Sequence, residues 1–157
     1  MKTSLKNLLL LTSLLVICDP RSAEATLIAL WSFDDSTPTT TSGSQSGTAT
    51  LTTTGTTTFV SPGTTINDPR GGAATPAMRI ASGTFTLHVS GLGLSSFMVS
   101  YAGKENMGTS GAQSWAYSTD GSSFTTLGSQ PSDLTAAFAT RTVDFSAITA
   151  LNGATDV

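Results

Sequence analysis

The sequence predicts an all-β fold, an antiparallel jelly-roll-like β-sandwich behind an N-terminal leader. Three observations predict it. Apolar and polar residues alternate with a period of two in segment after segment, as in Phe85, Leu87 and Val89 against Thr84, Thr86 and His88. Glycines at 91, 93, 103, 108, 111 and 128 punctuate those segments as turn formers. Beyond the leader, no segment carries a sustained helical stripe.

The leader comes first. Lys2 and Lys6 make a positive start, Leu8 to Ile17 is apolar apart from Thr12 and Ser13, and Ala23-Glu24-Ala25 is a small-x-small cleavage signal. This pattern is that of a secretory signal peptide over 1–25. It predicts cleavage after Ala25, a domain over 26–157, and a secreted or cell-surface location. The apolar run is far shorter than the roughly 20 residues a membrane helix needs, so no membrane span is expected in the mature chain. Cys18 follows the bulky Ile17 rather than the small residue of a lipoprotein signal, so lipidation is not expected.

Leu27 to Phe33 is a β-rich run that opens the domain. Ser36 to Thr58 is nearly all Thr, Ser and Gly. Threonine is β-branched and favours extended backbone, so strands are expected from about Thr48 to Val60 and a loop from Ser36 to Gly47. A flexible, glycosylated linker is the competing reading of the same composition. Three further alternations follow: Phe97, Val99 and Tyr101; Trp115 and Tyr117; Arg141, Val143 and Phe145. Asp120-Gly121 predicts a tight hairpin turn joining strands of about 113–118 and 123–128. Pro131 to Ala137 and Phe145 to Leu151 are each expected to hold a helical turn. Ile148 and Leu151 read as core, and Ala154 to Val157 as the start of a strand. That ending suggests the front part of a longer protein.

Composition narrows the function classes. Only 11% of residues are charged and the net charge is −3, with no basic stripe for phosphate contacts, so nucleic-acid binding is not expected. Cys18 is the only cysteine and lies in the leader, so the mature chain would have neither disulfide nor thiol chemistry. His88 is the only histidine, and its place in the alternation puts it toward solvent or an outer sheet. A nucleophilic triad is therefore not expected. Gly108-Thr109-Ser110-Gly111 reads as a glycine-rich turn rather than a nucleophile loop. The carboxylates are scattered, and Glu105 reads as a solvated charge in a Lys104-Glu105-Asn106 loop, so no glycosidase pair is expected.

Binding is the open class. Tyr101, Gln113, Trp115 and Tyr117 are the candidate ligand residues, since sandwich modules stack sugars on aromatics and hold hydroxyls with amides. The opposing reading places Trp115 and Tyr117 in the core, because they share one side of their strand. No cofactor is expected; for calcium, Asp34-Asp35 and Asn67-Asp68 are the best oxygen clusters.

The sequence resembles the exported bacterial β-sandwich proteins that carry exosortase (PEP-CTERM) sorting tails. The segments that carry the likeness are Leu30-Trp31-Ser32-Phe33-Asp34, Phe97 to Tyr101, Tyr117 to Gly121 with Phe124, and Thr142 to Ile148 followed by Ala150-Leu151-Asn152. The resemblance implies a non-enzymatic surface or extracellular-matrix protein, with polysaccharide or other matrix components as partners. A carbohydrate-binding module and the front part of a secreted hydrolase are the alternatives. The sorting tail itself is absent from this chain.

Overall fold

A computed structural model describes residues 9–18, 26–39, 42–45, 47–66, 76–80, 83–105, 111–127 and 133–157. The fold is all-β and antiparallel, with a sandwich-like arrangement of sheets. Among the described residues, no helix is long and apolar enough to cross a membrane.

The large sheet has six strands: β1 (Leu9–Cys18), β2 (Thr26–Trp31), β4 (Thr57–Val60), β5 (Ala77–Ile80), β7 (Phe97–Glu105) and β12 (Ala139–Asp144). β1 is its centre. One edge of β1 pairs with β7 from Leu9↔Glu105 to Cys18↔Phe97. The other edge pairs first with β5, Leu9 to Leu11, and then with β2, Leu14 to Cys18. β12 and β4 form the outer strands.

The apolar core of the leader is a sheet strand. Its Leu14 and Val16 side chains are buried in the core, as suits a strand flanked by backbone on both edges.

The remaining strands form pairs. β3 (Thr50–Thr53) pairs with β6 (Phe85–His88), β8 (Gly111–Ala112) with β11 (Asp133–Leu134), and β9 (Ala116–Tyr117) with β10 (Thr125–Thr126). The threonine-rich segment thus forms the strands expected between Thr48 and Val60. A side-chain bridge supplements the β3–β6 ladder where Thr54 and Thr84 hydroxyls meet at 2.9 Å.

Alternation is cleanest in β12 and its extension. Val143 and Phe145 are buried while Thr140, Thr142, Asp144 and Ser146 are exposed. β2 departs from it, because Ile28 to Trp31 are all buried, and Ser32 and Phe33 follow them inside. Both faces of β2 are covered, which is why that stretch reads as a continuous apolar run. Phe33 then takes a left-handed backbone (φ 60°) and its carbonyl accepts from Ser36 N at 2.9 Å, which ends the strand.

Two local expectations change. The segment 133–137 holds β11 and a bend rather than a helical turn. β11 pairs with β8, and that ladder supplies hydrogen bonds a single turn could not. Lys104 and Glu105 are the last residues of β7, not a loop; Lys104 Nζ lies 4.8 Å from the Phe138 ring centroid. The turn expected near the C-terminus is present as a 3-10 turn over Thr149–Leu151, with Leu151 buried. Val157 exchanges two backbone hydrogen bonds with Val89, at 2.9 and 3.0 Å.

Candidate functional site

Trp115 sits between the large sheet and the smaller strand pairs. Its ring packs edge-on against Phe85 at 5.2 Å, tilted against Tyr101 at 5.6 Å, and edge-on against Phe145 at 6.5 Å. Only 8% of the residue is exposed. The aromatic pair on one side of the 115–117 segment therefore turns inward, as its spacing allowed: Trp115 is core, and Tyr117 is half-buried against it. An open stacking platform for a sugar ring is not what these side chains form.

Gln113 ties three of the four candidate residues together. Its Oε1 accepts from the Tyr101 hydroxyl at 2.5 Å and from the Trp115 indole N–H at 3.3 Å. Both donors are fixed by chemistry, since an indole nitrogen cannot accept, so Oε1 is the atom that faces them. The amide Nε2 is out of water and has no hydrogen-bond partner among the described residues. Burial raises the pKa of the Tyr101 phenol above its ordinary value, so Tyr101 remains a donor at neutral pH.

Below this network lies a cavity of about 400 Å³. Val16, Val99 and Phe97 form its wall on the large sheet, with Phe85 and Leu87 of β6 facing them. Gln113, Trp115 and Tyr117 also line it. Tyr101 stands behind Gln113 and does not. Sequence reasoning grouped the four candidates by residue type; it missed the cavity, because Phe85, Leu87 and Phe97 read as ordinary core positions.

His88 is partly exposed on β6. Its side chain is 33% exposed, and Nδ1 lies 3.2 Å from Asp156 Oδ1. Position 156 returns beside β6 because Val157 is hydrogen-bonded to Val89. A His–Asp pair is two members of a triad, and no hydroxyl hydrogen bonds to this imidazole among the described residues.

Three acidic side chains serve turns. Asp120 Oδ1 accepts from Ser122 N at 2.8 Å, Ser123 N at 2.7 Å and Ser118 Oγ at 2.9 Å. These donors hold its carboxyl far below the usual carboxylate range. The hairpin expected here exists, with Tyr117↔Thr125 and Ala116↔Thr126 as paired residues and Leu127 N donating to Trp115 O at 2.8 Å. Its connection is not a two-residue Asp-Gly turn. It is a seven-residue loop, 118–124, organised around the Asp120 carboxylate, with Gly121 at φ 69°. Asp144 caps Ser146 N at 2.7 Å, and Asp35 accepts from Thr37 N and Oγ1 at 3.0 and 2.6 Å; both carboxyls are lowered by those bonds.

Of the calcium candidates, Asp34 and Asp35 are exposed, and Asp35 is engaged with Thr37. Asn67-Asp68 lies outside the described residues, as does most of the glycine-rich turn at 108–111. Among the described residues, no group of three or more His, Cys, Asp or Glu side chains is placed to hold a metal ion.

The chain matches no family model, and no curated protein or solved structure resembles it significantly.

Proposed function

We propose that this chain is an exported, non-enzymatic β-sandwich module of a bacterial cell surface or extracellular matrix, of the exosortase-sorted type. The observation that carries the reading is the N-terminal pattern of Lys2 and Lys6, an apolar run, and Ala23-Glu24-Ala25. The antiparallel fold, the low charge and the sequence likeness of Leu30–Asp34, Phe97–Tyr101 and Tyr117–Gly121 to that class support it. Support for a polysaccharide-binding function through Trp115 and Tyr117 is weaker, because the indole is enclosed by Phe85, Tyr101 and Phe145.

Export and the place of β1 have a joint consequence. Cleavage after Ala25 removes Leu9–Cys18 and with it the common partner of β7, β2 and β5. The precursor and the processed chain then differ at the centre of the sheet.

Fractionation of a bacterium expressing the C-terminally tagged chain tests the reading. The expected result is tagged protein outside the cytoplasm with Thr26 at its N-terminus. Cytoplasmic retention of a chain beginning at Met1 overturns it.

A further inference from the structure

We propose that the place of β1 becomes, in the processed chain, an acceptor slot for a strand donated by a different protein. The donor is an extended, uncharged, proline-free segment the length of β1, with a side chain larger than valine at the register of Val16. The inference rests on the export reading, since the slot opens where cleavage after Ala25 takes Leu9–Cys18 away.

The first observation is that β1 is paired along both edges. β7 runs antiparallel to it from Leu9↔Glu105 to Cys18↔Phe97, and β5 and β2 divide the other edge. Neighbouring strands lie about 4.8 Å apart, so removal of β1 leaves two facing rows of backbone donors and acceptors about 10 Å from each other. Both rows then need partners. A gap of that width admits one strand and no sheet. The β7 edge of a second copy carries β12 on its far side, so it can cover one row but cannot enter between the two. The apolar strands β2 and β7 already build the sheet, and a second copy could lend neither without opening its own. The occupant is therefore a free strand of another chain.

The second observation is how the leader strand fits. Leu14 and Val16 are buried, and no charged residue occurs from Leu9 to Cys18. The slot thus selects apolar side chains at those two registers. Val16 also walls the cavity of about 400 Å³, together with Phe85, Leu87, Phe97 and Trp115. Interiors are normally close-packed, so valine underfills its place. A Leu, Met or Phe at that register would reach into the space and make contacts that valine leaves unmade. The leader, whose apolar run serves export, holds the slot without filling it.

The test starts from the full 157-residue chain with residues 19–25 replaced by the recognition site of a sequence-specific protease. The folded chain is cut there, the leader fragment is removed under denaturant, and the remainder is refolded with fluorescent peptides. The parent peptide has the Leu9–Cys18 sequence with Cys18→Ser and a lysine tail for solubility. The expected result is one peptide per chain and a cooperative melt close to that of the uncut chain. A peptide with Val16→Phe should bind about tenfold tighter, as the added apolar burial allows. One with Leu15→Pro loses a donor at a residue that lies between Leu30 and Ser100, and should bind at least about tenfold more weakly. Failure of the parent peptide to bind, a Leu15→Pro peptide that binds as tightly as the parent, or a Val16→Phe peptide that binds no better overturns the proposal. So does an exported chain whose native mass spectrum still contains Leu9–Cys18. Cutting in vitro bypasses export, so failure of the peptides leaves the export reading standing, and cytoplasmic retention leaves the peptide result unchanged.

Discussion

The side-chain amide of Gln45 pairs with the backbone of Ser90 as one peptide group pairs with another. Nε2 donates to Ser90 O at 2.5 Å, and Ser90 N donates to Oε1 at 2.7 Å. The two residues are 45 positions apart, and the pair fastens the loop after Phe33 beside the end of β6. Backbone bonds from Gln45 N to Ile28 O at 2.8 Å and Ala49 N to Gln45 O at 2.9 Å hold the other side of that loop.

Gln45→Ala should therefore destabilise the chain by about 1–3 kcal/mol, because it leaves both polar groups of Ser90 without their partner. Denaturant melts of the two proteins measure it. Gln45→Glu keeps the acceptor for Ser90 N but sets a carboxylate oxygen against Ser90 O, and it should not restore wild-type stability. A shift within about 0.5 kcal/mol for the alanine variant would show the contact to be incidental.

Gly43, in the same loop, has φ 116°, and a Cβ there would run into the backbone carbonyl of Ile28. Gly43→Ala combines a backbone conformation that L-residues avoid with a clash against a rigid partner. The expected outcome is a loss of about 2 kcal/mol or more, read from the same melts. Gly47, at φ 86° with open space around it, should cost less on the same substitution.

Asp120 makes stability pH-dependent in a definite direction. Its folded-state pKa is lowered by Ser123, Ser122 and Ser118, so the carboxylate stabilises the fold fully above the unfolded value of about 4. That contribution is lost as pH falls through the lower folded-state value. Asp120→Ala should lower the melting temperature at pH 7, and the gap to wild type should close progressively below about pH 4. A gap that stays constant from pH 7 to pH 2 would assign the effect to packing instead.

Trp115→Ala removes the ring that joins Phe85, Tyr101 and Phe145 and strips Gln113 of one donor. A cost of about 3–5 kcal/mol is expected for a large core aromatic. Phe124, 54% exposed, should tolerate Ser within about 0.5 kcal/mol. Equal tolerance at both positions would contradict the placement of Trp115 in the core.

Removal of residues 1–25 tests β1. The truncated chain loses the strand between β7 and the β2–β5 edge, and the unpaired backbone there is a template for intermolecular pairing. The expected outcome is self-association on size-exclusion chromatography with light scattering, and a less cooperative melt. A monomer with the melting temperature of the full chain would show that the sheet closes without β1.

Much of the fold could be read along the chain because the period of two is a local property. Val143 and Phe145 face inward beside exposed Thr142 and Asp144, and Trp115 beside Ala116, without reference to any partner strand. The threonine strands β3 and β4 were legible for the same reason. The 118–124 loop was not, because its form depends on three donors converging on Asp120, and Asp-Gly alone matches a shorter turn as well. The short strand at 133–134 was missed because its stability comes from β8, a partner more than twenty residues earlier. Of the site, the residue types were visible and the network was not: nothing in the spacing of Tyr101, Gln113 and Trp115 says that one amide oxygen takes both donors.

The sequence by itself determined an extended, thiol-poor, weakly charged chain, since side-chain pattern and composition are carried by each segment alone. The tertiary structure decided what those segments meet: that Leu9–Cys18 lies between β7 and the ends of β2 and β5, that Gln45 reaches Ser90, and that the aromatic strands leave a cavity under Gln113. Pairing and enclosure depend on surfaces brought together from distant positions, and a local pattern allows many such meetings without choosing among them.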